Sequence, residues 1–86
     1  MQIMSRYFFH TAGAEAYHDD DGQELATLEE AKTAAASSIA ELLRDGADVF
    51  WGTEPWLMRV TDREGRTLFC MEMHGYLAPA AEPYER

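Results

Sequence analysis

Thr27-Leu28-Glu29-Glu30-Ala31-Lys32-Thr33-Ala34-Ala35-Ala36-Ser37-Ser38-Ile39-Ala40-Glu41-Leu42-Leu43-Arg44 is the stretch that decides the fold. The hydroxyl of Thr27 can accept a hydrogen bond from a first-turn N–H that has no partner inside a helix, so Thr27 reads as the N-cap. Glu30, three residues on, completes a capping box, and Glu29 and Glu30 lie at the positive end of the helix dipole. Leu28, Ala31, Ala35, Ile39 and Leu42 recur at helical spacing as one apolar stripe, widened by Leu43. The spacing predicts a helix from Leu28 to about Arg44, with Gly46 as the residue that ends it. One stripe must be buried against something. The small alanines of its first half permit close approach to a sheet.

Strand signals lie on both sides of this helix. Downstream, Trp56-Leu57-Met58-Arg59-Val60-Thr61 and Thr67-Leu68-Phe69-Cys70-Met71-Glu72-Met73 flank Asp62-Arg63-Glu64-Gly65. Asp first and Gly last is the pattern of a type I turn closed by a left-handed glycine, hence a hairpin. In that register Trp56, Met58 and Val60 share a face with Thr67, Phe69 and Met71, which should pack on the helix. Leu57, Arg59 and Thr61 share the other face with Arg66, Leu68 and Cys70, which should be partly exposed. Upstream, Tyr7-Phe8-Phe9-His10-Thr11 reads as a strand, Ala12-Gly13-Ala14 as a turn, and Glu15-Ala16-Tyr17-His18 as a short returning strand. Phe8 and Phe9 then point to opposite sides, one of them into the core. Asp19-Asp20-Asp21-Gly22 stops the strand in a turn. The expected fold class is α+β, in the order β-β-α-β-β, with antiparallel hairpins packed on one amphipathic helix.

A chain of 86 residues has room for one domain, assigned here to residues 1–77, with a loosely ordered tail from Ala78 to Arg86. Hydrophobic residues make up 47% of it, too many for a disordered chain. The connector Asp48–Pro55 carries Val49, Phe50 and Trp51, which should pack back on the domain. With 16 acidic against 7 basic side chains the formal net charge is −9. Such a surface repels phosphate backbones, and the nearest basic cluster, Arg59, Arg63 and Arg66, is interrupted by Asp62 and Glu64. Nucleic acid is therefore not an expected partner, whereas a basic protein is. Cys70 is the only cysteine, which excludes an intrachain disulfide and a cysteine-rich zinc site. No apolar run reaches the length of a signal peptide or a membrane span, so a cytoplasmic location is the default and no membrane contact is expected.

These pieces resemble a group of small proteobacterial proteins of unknown function. The resemblance rests on Arg6-Tyr7-Phe8-Phe9-His10, Asp21-Gly22-Gln23-Glu24-Leu25, Leu28-Glu29-Glu30-Ala31, and Trp56 followed by Val60-Thr61-Asp62-Arg63-Glu64-Gly65-Arg66. It covers roughly residues 6–73, departs from the pattern in the Phe50-Trp51 connector, and implies a shared fold with no assigned activity. A looser similarity, through Thr27-Leu28-Glu29-Glu30-Ala31, is to the antitoxins that mask mRNA-cleaving toxins. It implies an acidic domain that neutralises a basic, ribonuclease-like partner.

Few residues suggest chemistry. His10 and His18 approach each other if the first hairpin forms, and with Asp19 and Asp21 they are the only candidates for a metal such as Zn²⁺ or Ni²⁺, the alternative reading being a metal-binding protein or a small metal-dependent enzyme. A turn explains the Asp run without a metal. Cys70 and His74 would stand about 13 Å apart on an extended strand, too far for a nucleophile and its base. No phosphate loop, cofactor motif or acid–base constellation is present, so the chain is not expected to be an enzyme. Leu57, Leu68 and Cys70, beside Arg59 and Arg66, form an outer apolar patch next to a strand edge. That patch is the expected interaction surface, for a homodimer or a small protein partner.

Overall fold

The helix forms where its cap places it. In the computed structural model, which describes residues 3–13, 16–52 and 54–85, α1 spans Leu28–Asp45. Thr27 Oγ1 accepts the N–H of Glu30 at 3.0 Å. The Glu30 carboxylate reaches back one residue further than a capping box requires, to the N–H of Ala26 at 2.8 Å. Ala31, Ala35 and Ile39 are buried, Leu42 and Leu43 half-buried, and Leu28 at the helix start is exposed. The stripe is thus centred on its small residues, which let the helix backbone lie close to the sheet.

The sheet has four antiparallel strands in the order β2-β1-β3-β4: β1 Ser5–Ala12, β2 Gln23–Leu25, β3 Trp56–Thr61 and β4 Thr67–Met73. The topology is β-β-α-β-β, an α+β fold of antiparallel strands on a single helix. The β3–β4 turn has the expected form. Gly65 donates to the Asp62 carbonyl, Asp62 donates to the Arg66 carbonyl, and Gly65 holds φ 81°. A register irregularity follows between Val60 and Thr61. Met58 and Val60 join Tyr7, Ala31, Ala35 and Ile39 in the core, with Phe9, Leu25, Phe69, Met71 and Met73 packed against it.

The first hairpin differs from expectation. The second strand is Gln23–Leu25, paired to Ser5–Tyr7, and residues 16–18 contribute one isolated bridge, Thr11 to Tyr17. Glu15 and Ala14 lie outside the described residues. The physical reason is the Asp-rich turn: it does not end a pairing strand but carries the chain along the edge of β1 to a second, better-paired stretch. Thr61, expected at a partly exposed position, is 3% exposed.

Gly46 also acts differently from a left-handed helix stop. Its φ is −117°, ordinary for any residue. A Cβ there would meet the Trp56 ring at 2.9 Å, so the glycine is required by packing. Trp56 is buried and meets Phe50 edge-to-face at 5.3 Å, so Phe50 packs back on the domain as expected, whereas Val49 and Trp51 are 66% and 63% exposed and do not. Beyond β4, Pro79–Tyr84 forms a 3₁₀ helix with no buried residue. The radius of gyration, 15.8 Å, exceeds the roughly 12 Å of a compact chain this long.

Candidate functional site

β1 carries aromatic residues on both faces, and each face has its own cover. Tyr7 and Phe9 face the helix, while Phe8 and His10 face the other way, in register with Thr61 and Arg59 of β3. A strand pair covered by helix on one side only would leave Phe8 and His10 wet. Residues 18–22 fold over them instead. Gly22, at φ 72°, lies so close that a Cβ would meet Phe8 at 2.9 Å and Arg6 at 2.8 Å.

Asp19 fixes this cover. One carboxylate oxygen accepts the N–H groups of Asp21 at 3.1 Å and Gly22 at 3.0 Å, which closes the turn. The other accepts the N–H of Phe9 at 3.0 Å, taking the place of a strand partner on the edge of β1. Burial would raise the Asp19 carboxyl, but the hydrogen bonds from Gly22, Phe9 and Asp21 outweigh it and hold the group below its ordinary value.

His10 is 9% exposed and both its ring nitrogens are engaged. The backbone N–H of Asp19 donates to Nδ1 at 3.1 Å, and Nε2 lies 3.0 Å from Thr61 Oγ1. A backbone N–H can only donate, so Nδ1 presents its lone pair, and the neutral ring carries its proton on Nε2 and gives it to Thr61. Burial, followed by the neighbouring His18 and Arg59, pushes the His10 pKa below 6.5, against the opposing pull of Asp19 and Asp20. His18 stacks on it with ring centroids 4.4 Å apart and keeps its own Nε2 3.5 Å from Asp20.

The two histidines are therefore neighbours, as the first hairpin suggested, but as a stack rather than as converging ligands. His10 has no nitrogen left for a metal, Asp19 spends its carboxylate on backbone N–H groups, and the Asp21 carbonyl accepts Arg6 at 2.8 Å. Among the described residues no group of three or more His, Cys, Asp or Glu side chains could hold a metal ion.

Beside the stack the outer face opens into a groove of about 570 Å³. Its floor holds Leu57 and Arg59, one wall Tyr17 and His18, the other Cys70 and Glu72. Three of the five residues expected to form an interaction surface, Leu57, Arg59 and Cys70, thus lie together. Leu68 is exposed outside the groove, and Arg66 is turned to the Asp62 carboxylate at 2.7 Å. Arg59 donates to the Thr67 hydroxyl at 3.3 Å and, among the described residues, forms no ion pair. Tyr17 and Glu72 were not expected here. Glu72 stands opposite Leu57 in the β3–β4 hairpin, and Tyr17 arrives through its bridge to Thr11 of β1.

A helix on one face of a four-stranded antiparallel sheet and a polar turn folded over the other define a small α+β domain. The chain belongs to the family of the domain of unknown function DUF6894, whose profile matches residues 6–74. No curated protein and no solved structure matches it. The matched span takes in the helix, nearly the whole sheet and the outer groove, and it ends before the 3₁₀ helix. Two of the segments that carry the resemblance, Arg6–His10 and Val60–Arg66, meet at the His10–Thr61 hydrogen bond. No helix among the described residues is long and apolar enough to cross a membrane.

Proposed function

We propose that this chain is a noncatalytic protein-interaction or regulatory domain whose partner sits on the outer face of the sheet. The observation that supports the reading most is the groove over Leu57, with Arg59 at its floor bonded to the neutral Thr67 hydroxyl and, among the described residues, in no ion pair. In a chain of net charge −9, an exposed guanidinium on an apolar floor can meet a partner's acidic group. The total charge acts at longer range and favours a partner that is basic as a whole, of which a ribonuclease-like toxin is one example. The groove's volume falls within the roughly 300–1,000 Å³ of sites that hold a side-chain cluster or a small molecule.

A metal-binding role for His10 and His18 is the weaker reading, because it would first have to break the bonds from Asp19 and to Thr61. The test is affinity capture from native lysate with the full chain, repeated with Leu57→Asp and Arg59→Gln. Both positions are at least partly exposed, and circular dichroism checks the fold. The reading expects a captured protein that both variants lose. Identical capture by all three chains, or none by any, refutes it.

A further inference from the structure

The two edges of the sheet are unlike. β2 is three residues long, carries Glu24 and ties it to Arg6, so it offers little template to another strand. β4 is seven residues long, contains no proline or lysine, and has one charged residue, Glu72. Among the described residues no strand pairs with its outer side. An edge strand of that length exposes a row of N–H and C=O groups ready to pair.

The side chains agree with the backbone. Apolar rows cross the sheet under the helix from β3 to β4, Val60 to Phe69, Met58 to Met71 and Trp56 to Met73. In β3 these rows are sealed, at 0%, 2% and 5% exposure. In β4 their outer members are only half-buried. The core thus thins toward the β4 edge, where Phe69, Met71 and Met73 pack against it and keep part of their surface open.

We infer that β4 is a homodimerisation edge, where two copies pair antiparallel about a two-fold axis at Cys70. This goes beyond the interaction-domain reading, because it assigns a separate surface, the β4 edge, to a second copy of the chain. The register that overlaps all of Thr67–Met73 with itself puts Cys70 opposite Cys70, Phe69 opposite Met71 and Leu68 opposite Glu72. Val60 and Phe69 of one copy then run on into Met71 and Met58 of the other, as one apolar row across the axis. Both helices fall on the same side of a continuous eight-stranded sheet. No like charges meet across the axis, although each copy is strongly acidic, because Glu72 faces a leucine. Isologous closure of this kind needs no other contact to be self-complementary.

The test uses the full chain in sedimentation equilibrium, with a short bismaleimide as a thiol cross-linker. A reversible dimer is expected at about 100 μM, dissociating on dilution. The cross-linker should join the two exposed Cys70 thiols into a covalent dimer. Cys70→Lys sets two ammonium groups opposite each other and should weaken the dimer about tenfold or more. Leu57→Lys, on the outer face of β3, should leave it intact. A monomer throughout the concentration range, or a dimer weakened by Leu57→Lys and not by Cys70→Lys, overturns the inference. A β4 dimer that fails in this way leaves capture of another protein at Leu57 and Arg59 untouched, and the two readings therefore fail separately.

Discussion

Two turns of this molecule share one pattern, Asp19-Asp20-Asp21-Gly22 and Asp62-Arg63-Glu64-Gly65, and use it for different ends. In both, the first Asp accepts nearby backbone N–H groups and the glycine three residues later has positive φ, 72° at Gly22 and 81° at Gly65. The second turn is self-contained. Asp62 bonds Glu64 and Arg66, and a Cβ on Gly65 would meet nothing within 4 Å. The first turn bonds its own residues and also Phe9 and His10 of β1, and Gly22 presses on Arg6 and Phe8. A local motif can therefore be a connector or a clamp, and what it touches decides which.

Exchanging each glycine separates these roles by the largest margin. Gly22→Ala meets both the left-handed backbone and the side chains beneath it, and should cost about 2–4 kcal/mol. Gly65→Ala meets only the backbone term and should cost about 1–2 kcal/mol. Urea denaturation of the two variants gives the comparison directly, and equal losses would mean that the first turn is no tighter than the second. The carboxylates come next. Asp19→Ala strips acceptors from three N–H groups, including that of Phe9 in the strand, and should cost about 1–3 kcal/mol. Asp62→Ala acts on an exposed hairpin and should move the midpoint less; the reverse order would undo the distinction. Smaller again is Thr61→Val, which removes the acceptor of the His10 Nε2 proton and should cost about 1 kcal/mol. Nitrogen-15 spectra of the ring should still report the proton on Nε2, since Asp19 continues to occupy Nδ1.

The same contrast explains how much was legible in the sequence. Thr27, Glu30, Asp62 and Gly65 act on residues within four positions of themselves, and both the helix and the β3–β4 hairpin follow from their spacing. The inner face is equally plain, because Ala31, Ala35 and Ile39 repeat with the helix and Met58 and Val60 with the strand. The outer face is not. Its contacts join His10 to Thr61 and Asp19 to Phe9, and nothing periodic marks residues 51 or 10 positions apart as neighbours. The Asp run hid its role for a further reason. A turn is sufficient to explain it, so the additional bond from Asp19 to β1, which displaces the returning strand to Gln23–Leu25, leaves no trace in composition. The groove was half legible: Leu57, Arg59 and Cys70 are placed by alternation within one hairpin, whereas Tyr17 and His18 arrive from the other.

The clamp also gives the first turn a response to pH that the second lacks in the same range. His10 is held neutral, with a pKa below 6.5, by burial first and by the neighbouring His18 and Arg59. Below that ordinary value the unfolded chain takes up a proton that the folded ring resists, so the unfolded state binds more protons and stability drops as the pH is lowered. The contribution is fully present above pH 6.5 and is lost as acid reaches the lower, folded pKa. Protonating Nδ1 also turns an acceptor into a donor facing the Asp19 N–H, which opens the cover over β1. His10→Gln cannot titrate, and its amide offers one donor and one acceptor at similar reach. Unfolding free energies measured between about pH 7 and 5 should fall more steeply for the native chain than for this variant. His18 and His74 are common to both proteins, so the difference in slope belongs to His10. Asp62 and Asp19 both lie below the ordinary carboxylate value of 3.8 and contribute only under stronger acid. Parallel slopes would mean that the ring is free to protonate where it sits, and that the bond from Asp19 to Nδ1 does not hold the outer face.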